Sequence, residues 1–78
     1  MENKSAVKAF YETYTPTARR YGLRLSAKFS RRENYVRVYS YATGKTVVKV
    51  EGEDEQECFR RAEEDLRHWQ QRKEEKEN

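Results

Sequence analysis

The apolar residues of this chain follow a helical spacing near both ends and a strand spacing between them. From Lys4 to Tyr14 they recur at steps of three and four residues, which places them on one face of a short amphipathic helix. The members of this face are Val7, Phe10, Tyr11 and Tyr14. Proline suits a first helical position and Gly22 suits a left-handed stop, so we expect a kink or a break at Pro16. A last helical turn should then cover residues 17–21.

Three segments in the middle of the chain have the composition and period of β-strands. Residues 23–30 alternate apolar and polar side chains, and residues 35–41 and 46–51 are rich in β-branched and aromatic residues. Polar residues link the first two segments, and Gly44 supplies the positive φ that a tight connection between the last two requires. The three strands are therefore expected to form an antiparallel meander.

A second helix is predicted after Gly52. Asp54, followed three residues later by Glu57, forms an Asp-x-x-Glu version of the capping box, which satisfies free amides at a helix start. The apolar face of this helix contains Cys58, Phe59, Ala62, Leu66 and Trp69. Residues 71–78 hold no apolar side chain, so we divide the chain into one domain, residues 1–70, and a charged tail that is helical or disordered.

The order helix, three strands, helix predicts an α+β domain in which both helices cover one face of a three-stranded antiparallel sheet. The side chains expected under the helices are Leu23, Leu25, Ala27, Phe29, Val36, Val38, Val48 and Val50. The opposite face is expected to be bare, because a two-layer domain of this length has nothing left to cover it. That face would display Arg24, Ser26, Lys28, Tyr35, Arg37, Tyr39, Tyr41, Val47 and Lys49.

Composition limits the class of protein. Of the 78 residues, 40% are charged and 35% are hydrophobic, and the single cysteine cannot form an internal disulfide. The regular apolar spacing argues against a disordered chain. The sequence has neither a leader pattern nor an apolar run of the roughly 20 residues that cross a bilayer. We therefore expect a soluble, cytoplasmic protein that makes no membrane contact.

Charge is unevenly divided along the chain. Residues 1–50 carry eleven Lys or Arg against three Asp or Glu, whereas residues 51–78 carry six against eleven. Such a division is typical of a body that faces a polyanion and carries an acidic C-terminal segment, and it also serves solubility.

Catalytic chemistry is not indicated by any motif. The only histidine, His68, falls beside the apolar face of the last helix, and Cys58 lies on that face as a small buried hydrophobe does. One Cys and one His are too few for a zinc site. The carboxylates are dense but lack a glycine-rich phosphate loop, triad spacing or a buried acid pair. We expect a non-enzymatic binding module without a metal or cofactor.

The bare face favours nucleic-acid binding, because cations neutralise phosphates and tyrosine rings pack on bases or sugars. The residues assigned to phosphates are Arg24, Lys28, Arg37 and Lys49, together with Arg31 and Arg32 between the first two strands, and those assigned to bases or sugars are Tyr35, Tyr39 and Tyr41. Two alternatives stay open. Tyr and Arg are also enriched at protein interfaces, including those of homodimers, and both are ordinary residues of a solvated strand face.

The order of elements and the segment 52–62, Gly-Glu-Asp-Glu-Gln-Glu-Cys-Phe-Arg-Arg-Ala, resemble the double-stranded-RNA-binding domain over most of residues 5–70. In that family, lysines at the start of the last helix grip phosphates across a major groove. The matching stretch here holds Glu55, Gln56 and Glu57, whose charge would repel a duplex. The resemblance implies the topology, while the missing lysines weaken the activity that it implies.

Residues 35–66 also resemble the three-strand-plus-helix arm-binding domain of phage-type integrases, which reads DNA with an exposed sheet face. The shared pattern is two strands, the Thr-Gly-Lys turn at 43–45 and a helix. This resemblance implies that the same basic, tyrosine-rich face contacts DNA. Size and charge suggest a further alternative, a small phage-type inhibitor or adaptor, for example of a nucleic-acid-guided nuclease.

Overall fold

The computed structural model describes residues 5–77, and these form two helices and one three-stranded sheet. The elements are α1 (Ala6–Tyr21), β1 (Leu23–Phe29), β2 (Asn34–Ser40), β3 (Thr46–Glu51) and α2 (Glu55–Glu77). The predicted α+β class and the order of elements are confirmed. Lys4, which the helical spacing included in the first helix, lies outside the described residues.

The sheet is an antiparallel meander with β2 in the centre and β1 and β3 as its two edges. β1 pairs with β2 in an unbroken register, from Leu23 opposite Ser40 to Phe29 opposite Asn34. The register of β2 with β3 shifts once, because Val38 lies opposite Val48 while the next residue of β2, Tyr39, lies opposite Thr46. Val47 is therefore an extra residue in β3, which is the definition of a β-bulge.

Both ends of α1 are capped by the residues immediately outside it. The Ser5 hydroxyl accepts a hydrogen bond from the Lys8 amide at 3.1 Å. At the other end Gly22 adopts the left-handed conformation, with φ 66° and ψ 49°, and its amide donates to the Ala18 carbonyl. The predicted stop at Gly22 is therefore confirmed, and the chain turns there directly into β1.

Of the kink or break expected at Pro16, the break is wrong, since α1 is one helix that contains the proline. A proline inside a helix lacks the amide that would bond four residues back, and costs about 3 kcal/mol. Packing on both sides of Pro16 offsets this cost. Tyr14 stacks on the Phe10 ring at 5.5 Å, and Thr17 is only 1% exposed although the apolar pattern gave it no role in the core. Tertiary contacts here outweigh the local signal of the proline.

The core is a single layer between one face of the sheet and the two helices. Phe10 lies at its centre, fully buried, with its ring 5.2 Å from that of Phe59 on α2. The other buried hydrophobic residues are Leu23, Val36, Val38, Val48, Val50, Cys58, Ala62 and Leu66. Both helices thus cover the same face of the sheet, as the alternation along the strands predicted.

Two residues depart from their predicted positions relative to this core. Ala27 lies on the face that the helices cover but is exposed, because β1 is an edge strand that the helices cover incompletely. Val47 was expected on the bare face, yet it packs against the core and lines a cleft with Tyr21 and Trp69. The bulge causes this difference, because one extra residue reverses the side to which the following side chains point.

The helices α1 and α2 run parallel to each other and are linked by a ladder of polar contacts. Each contact joins a residue of α1 to one about fifty positions later, and the two numbers rise together along both helices. The contacts are Ala6 N to Gln56 Oε1, Thr13 Oγ1 to Glu63 Oε2, Thr17 Oγ1 to Gln70 Oε1, and Arg20 to Glu74. Thr17 is buried because it lies in this helix contact.

The N-terminus of α2 is capped as predicted. The Asp54 carboxylate accepts from the Glu57 amide at 3.3 Å, while the Glu57 side chain bonds Arg60 and does not return to the cap. At its other end α2 continues through Glu77, so the charged residues after Gln70 are helical here. Lys73 lies over the Trp69 ring and Glu74 bonds Arg20 of α1, so this segment contacts the body of the domain.

Replacing the core residue Leu66 by alanine tests the single-layer core. Leu66 is fully buried, so we expect Leu66→Ala to lower the free energy of unfolding by about 2–5 kcal/mol through lost burial and the cavity left behind. Asp65→Ala, at the exposed neighbouring position, should change it by less than about 0.5 kcal/mol. Urea denaturation gives both values, and equal effects of the two substitutions would contradict this description of the core.

Candidate nucleic-acid interface

The uncovered face of the sheet is built from three rows of side chains that run across the strands. Strand pairing places these residues side by side on the face opposite the helices, because alternate residues of each strand share a face. The rows are Lys28, Tyr35, Glu51; Ser26, Arg37, Lys49; and Arg24, Tyr39, Thr46. Thr46 occupies the place that was predicted for Val47, which the bulge turns toward the helices.

The third row and the residues beside it form what we call the arginine–tyrosine patch: Arg24, Arg37, Tyr39 and Tyr41. The Arg37 guanidinium carbon lies 4.6 Å from the centre of the Tyr39 ring, and that of Arg24 lies 4.8 Å from the centre of the Tyr41 ring. Tyr39 also lies directly opposite Arg24 across the strands. Two cation–π pairs are thus adjacent on one surface.

Arg37 is held in position from two sides. Its Nε donates to Thr46 Oγ1 at 2.8 Å, and one terminal nitrogen donates to the Gly44 carbonyl at 3.3 Å. Gly44 has φ 75°, and its amide donates to the Ser40 carbonyl, so the loop that carries this acceptor is itself fixed. No carboxylate lies among these partners of Arg37. The guanidinium therefore keeps its positive charge uncompensated at a defined place on the face.

The other end of the face contains acids as well as bases. Lys28 Nζ lies 3.4 Å from Glu33 Oε2, and Lys49 Nζ lies 3.3 Å from Glu51 Oε2. All four side chains are more than half exposed, and exposed ion pairs contribute only about 0–1 kcal/mol. The two lysines can therefore turn to another anion at little cost. Tyr35 lies between Lys28 and Glu51 in the middle of its row.

Arg31 and Arg32 project from the turn between β1 and β2. The Ser30 hydroxyl accepts from the amides of Arg32 and Glu33, and the Ser30 amide donates to the Glu33 carbonyl, which closes the turn. Both arginines are exposed, and within residues 5–77 their side chains make no ion pair. They lie at the same end of the face as Lys28, not beside the arginine–tyrosine patch.

Sequence reasoning placed the nine predicted site residues on this face or at its rim, but it missed their partners. Thr46 and the Gly44 carbonyl fix Arg37, and Glu33 and Glu51 pair with the lysines. The length of the β2–β3 connection was the available signal for Thr46, since loop length sets the register of a hairpin. Lys49 and Glu51 are two residues apart in β3, where alternation puts them on one face, whereas the contact of Lys28 with Glu33 depends on the turn between β1 and β2.

The start of α2 lies on the opposite side of the domain and is acidic. Glu55 and Glu57 are both exposed in its first turn. The hydrogen bond from Arg60 lowers the pKa of Glu57, so this carboxylate stays charged at neutral pH. The helix start that grips phosphates in double-stranded-RNA-binding domains therefore carries the wrong sign of charge for that role here.

Cys58 is placed for packing and not for reaction. Its side chain is 1% exposed within the core, and burial raises the pKa of its thiol above the ordinary value of 9.0. A raised pKa means that little thiolate, the reactive form, exists at neutral pH. His68 is exposed on α2 and stands apart from the uncovered face of the sheet.

Stability should fall at alkaline pH in part because of Cys58. The folded protein binds the thiol proton more tightly than the unfolded chain does, so this contribution is complete below about pH 9 and is lost as pH rises through the folded-state pKa. We expect Cys58→Ala to lose less stability between pH 8.5 and 10.5, values chosen to span roughly this window, than the unmodified protein does. Denaturant unfolding across this range measures the difference, and identical pH slopes would contradict the assignment.

Membrane-spanning helices and metal-binding clusters would each indicate another kind of function. Among residues 5–77, neither helix has the length and apolar character needed to span a membrane. The same residues contain no cluster of three or more His, Cys, Asp or Glu arranged to hold a metal ion. No protein-family model, curated protein or solved structure matches this chain.

Proposed function

We propose that this domain binds nucleic acid through the uncovered face of its sheet. The observation that carries the proposal is the arginine–tyrosine patch, in which two guanidinium groups lie against two tyrosine rings on one open surface. Phosphates attract the guanidinium groups, and bases stack on aromatic rings or on the planes of guanidinium groups. One surface thus offers both kinds of contact that a polynucleotide strand needs.

Single-stranded nucleic acid is the form that this surface suits best. A stacking platform requires bases that are unpaired and can turn toward the protein, as they are in a single strand. Tyr41 is 70% exposed, and no helix or loop within the described residues covers the face on which it stands.

The distribution of charge supports a defined path for the strand. Positive groups run along the face from Arg31 and Arg32, past Lys28, to Lys49 and the patch. The acids Glu33 and Glu51 lie at the first part of this path only. We therefore assign the tightest phosphate contacts to Arg24 and Arg37, and weaker ones to the lysines, which must first leave their carboxylate partners.

Replacing one arginine of the patch should weaken binding and reduce its salt dependence. Each phosphate contact contributes about 0.7 to the slope of log affinity against log salt for a single strand, so Arg37→Ala should lower that slope by about this amount. Fluorescence anisotropy with a labelled single-stranded oligonucleotide at several salt concentrations measures it. Arg61→Ala, an exposed arginine of α2 on the helix side, is the matched control and should leave the slope unchanged. Equal slopes for all three proteins, or no binding at low salt, would refute the proposal.

The tyrosine rings should contribute through stacking and not through their hydroxyl groups. Tyr41→Ala should lower affinity for a single strand by roughly fivefold to a hundredfold, since stacking of one base is worth about 1–3 kcal/mol. Tyr41→Phe keeps the ring and should bind within about twofold of the unmodified protein. The same anisotropy titration compares them. If both variants bind equally well, the ring is not a stacking platform.

A further inference from the structure

The outer edge of β1 offers unpaired backbone groups. Two backbone hydrogen bonds, from Tyr41 N to Gly22 O and from Ser30 N to Glu33 O, lie at the two ends of the β1–β2 ladder. They show which residues of β1 bond to β2. In an antiparallel ladder, alternate residues bond inward and outward. The even-numbered residues of β1 therefore bond to β2, and the odd-numbered ones direct their amides and carbonyls away from the sheet. These are Leu23, Leu25, Ala27 and Phe29.

Only the first of these outward groups has a partner within residues 5–77. The Tyr14 hydroxyl lies 3.5 Å from the Leu23 carbonyl oxygen, whereas no described side chain bonds the outward groups from Leu25 to Phe29. The side chains of these outward residues are apolar, whereas the even-numbered residues of β1 are polar. Ala27 is exposed, and the Phe29 ring packs against Phe59.

The two edges of the sheet differ in how they are protected against pairing. At β3 a bulge at Val47 interrupts the ladder, and the outward residues after it are Lys49 and Glu51, two charged side chains that stand close together. Bulges and charges are the usual means by which an edge strand avoids adding a further strand. β1 is seven residues long, regular in register and apolar on the helix side. It is the edge that remains able to accept a strand.

We propose that β1 pairs antiparallel with β1 of a second copy of this chain, about a twofold axis at Ala27. Only the odd-numbered residues of β1 direct their backbone groups outward. Each hydrogen-bonded pair must therefore join an odd-numbered residue of one copy to an odd-numbered residue of the other. Centring on Ala27 puts Leu25 opposite Phe29 of the second copy on the helix side. On the uncovered face it puts Lys28 opposite Ser26 and Arg24 opposite Ser30 of the second copy.

This register is favoured because the same strand complements itself in charge and in shape. A shift of the axis to Ser26 would place Arg24 directly opposite Lys28 of the second copy, and like charges directly opposite each other are destabilising. With the axis at Ala27, each cation faces a serine and each larger apolar side chain faces another. A twofold interface requires this kind of self-complementarity.

Pairing in this way joins two three-stranded sheets into one of six strands. The exposed side chain of Ala27 would then lie at the joint, and a core this small gains stability from association. The uncovered faces of the two copies would form one continuous surface. The pairing does not depend on nucleic-acid binding, since it rests on the free edge alone.

The direct test is Ala27→Pro, followed by analytical ultracentrifugation over a range of protein concentrations. Proline removes the outward amide of Ala27 and leaves the bonds between β1 and β2 intact, a position that edge strands tolerate. We expect the unmodified protein to dimerise. The variant should dimerise at least about tenfold more weakly, because two hydrogen bonds are lost per dimer. Lys49→Pro makes the same change at the other edge and should dimerise normally.

Amide hydrogen exchange of the unmodified protein tests the same pairing without relying on a variant that folds. Exchange at Leu25, Ala27 and Phe29 should slow as the protein concentration rises, while exchange at Lys49 and Glu51 should not change. A monomer at every concentration would overturn the proposal and leave this edge to a strand from another protein. A dimer in which these three amides stay unprotected would overturn it too, because another surface would then hold the two copies together.

Discussion

One core layer between three strands and two helices is the constraint on which the rest of this structure depends. The chain has enough apolar residues to fill one side of its sheet, and Phe10 on α1 and Phe59 on α2 meet at the middle of that side. No described residue remains to cover the other side. The polar face of the sheet and the free edge of β1 are both consequences of this limit.

The division of charge along the sequence becomes a division between the two sides of the domain. Four bases lie in the strands and line the uncovered face, with Arg31 and Arg32 at its end, while α2 on the other side carries eight acids against six bases. A polyanion that approaches this domain therefore meets an attractive face and a repulsive one. In the proposed binding mode, this arrangement would orient a nucleic-acid strand toward the arginine–tyrosine patch and away from the start of α2.

Much of this fold could be predicted from local patterns, and the exceptions have identifiable physical causes. Alternation along β1 and β2 and the helical spacing around Leu66 were sufficient for the sheet, the covered face and α2. The break predicted at Pro16 is wrong, because the packing of Tyr14 and Thr17 outweighs the loss of the backbone hydrogen bond that a proline removes. The predicted position of Val47 on the bare face is also wrong, because hydrophobic periodicity does not reveal a bulge.

The candidate site, too, could be predicted only in part. The sequence was sufficient to choose the side chains of the uncovered face, since each strand alternates regularly. It did not show that Arg37 is fixed by Thr46 or that Lys28 and Lys49 pair with Glu33 and Glu51. The Arg37–Thr46 contact joins two strands and the Lys28–Glu33 pair spans a turn, so both depend on a geometry that a single sequence does not display, whereas Lys49 and Glu51 are two residues apart in β3.

The measurement that tests the central claim most directly is mapping of backbone amide chemical shifts by NMR as a single-stranded oligonucleotide is added. The account predicts shifts concentrated at Arg24, Arg37, Tyr39 and Tyr41, with the exposed residues of α2 unchanged. Shifts confined to α2, or no shifts at low salt, would contradict it.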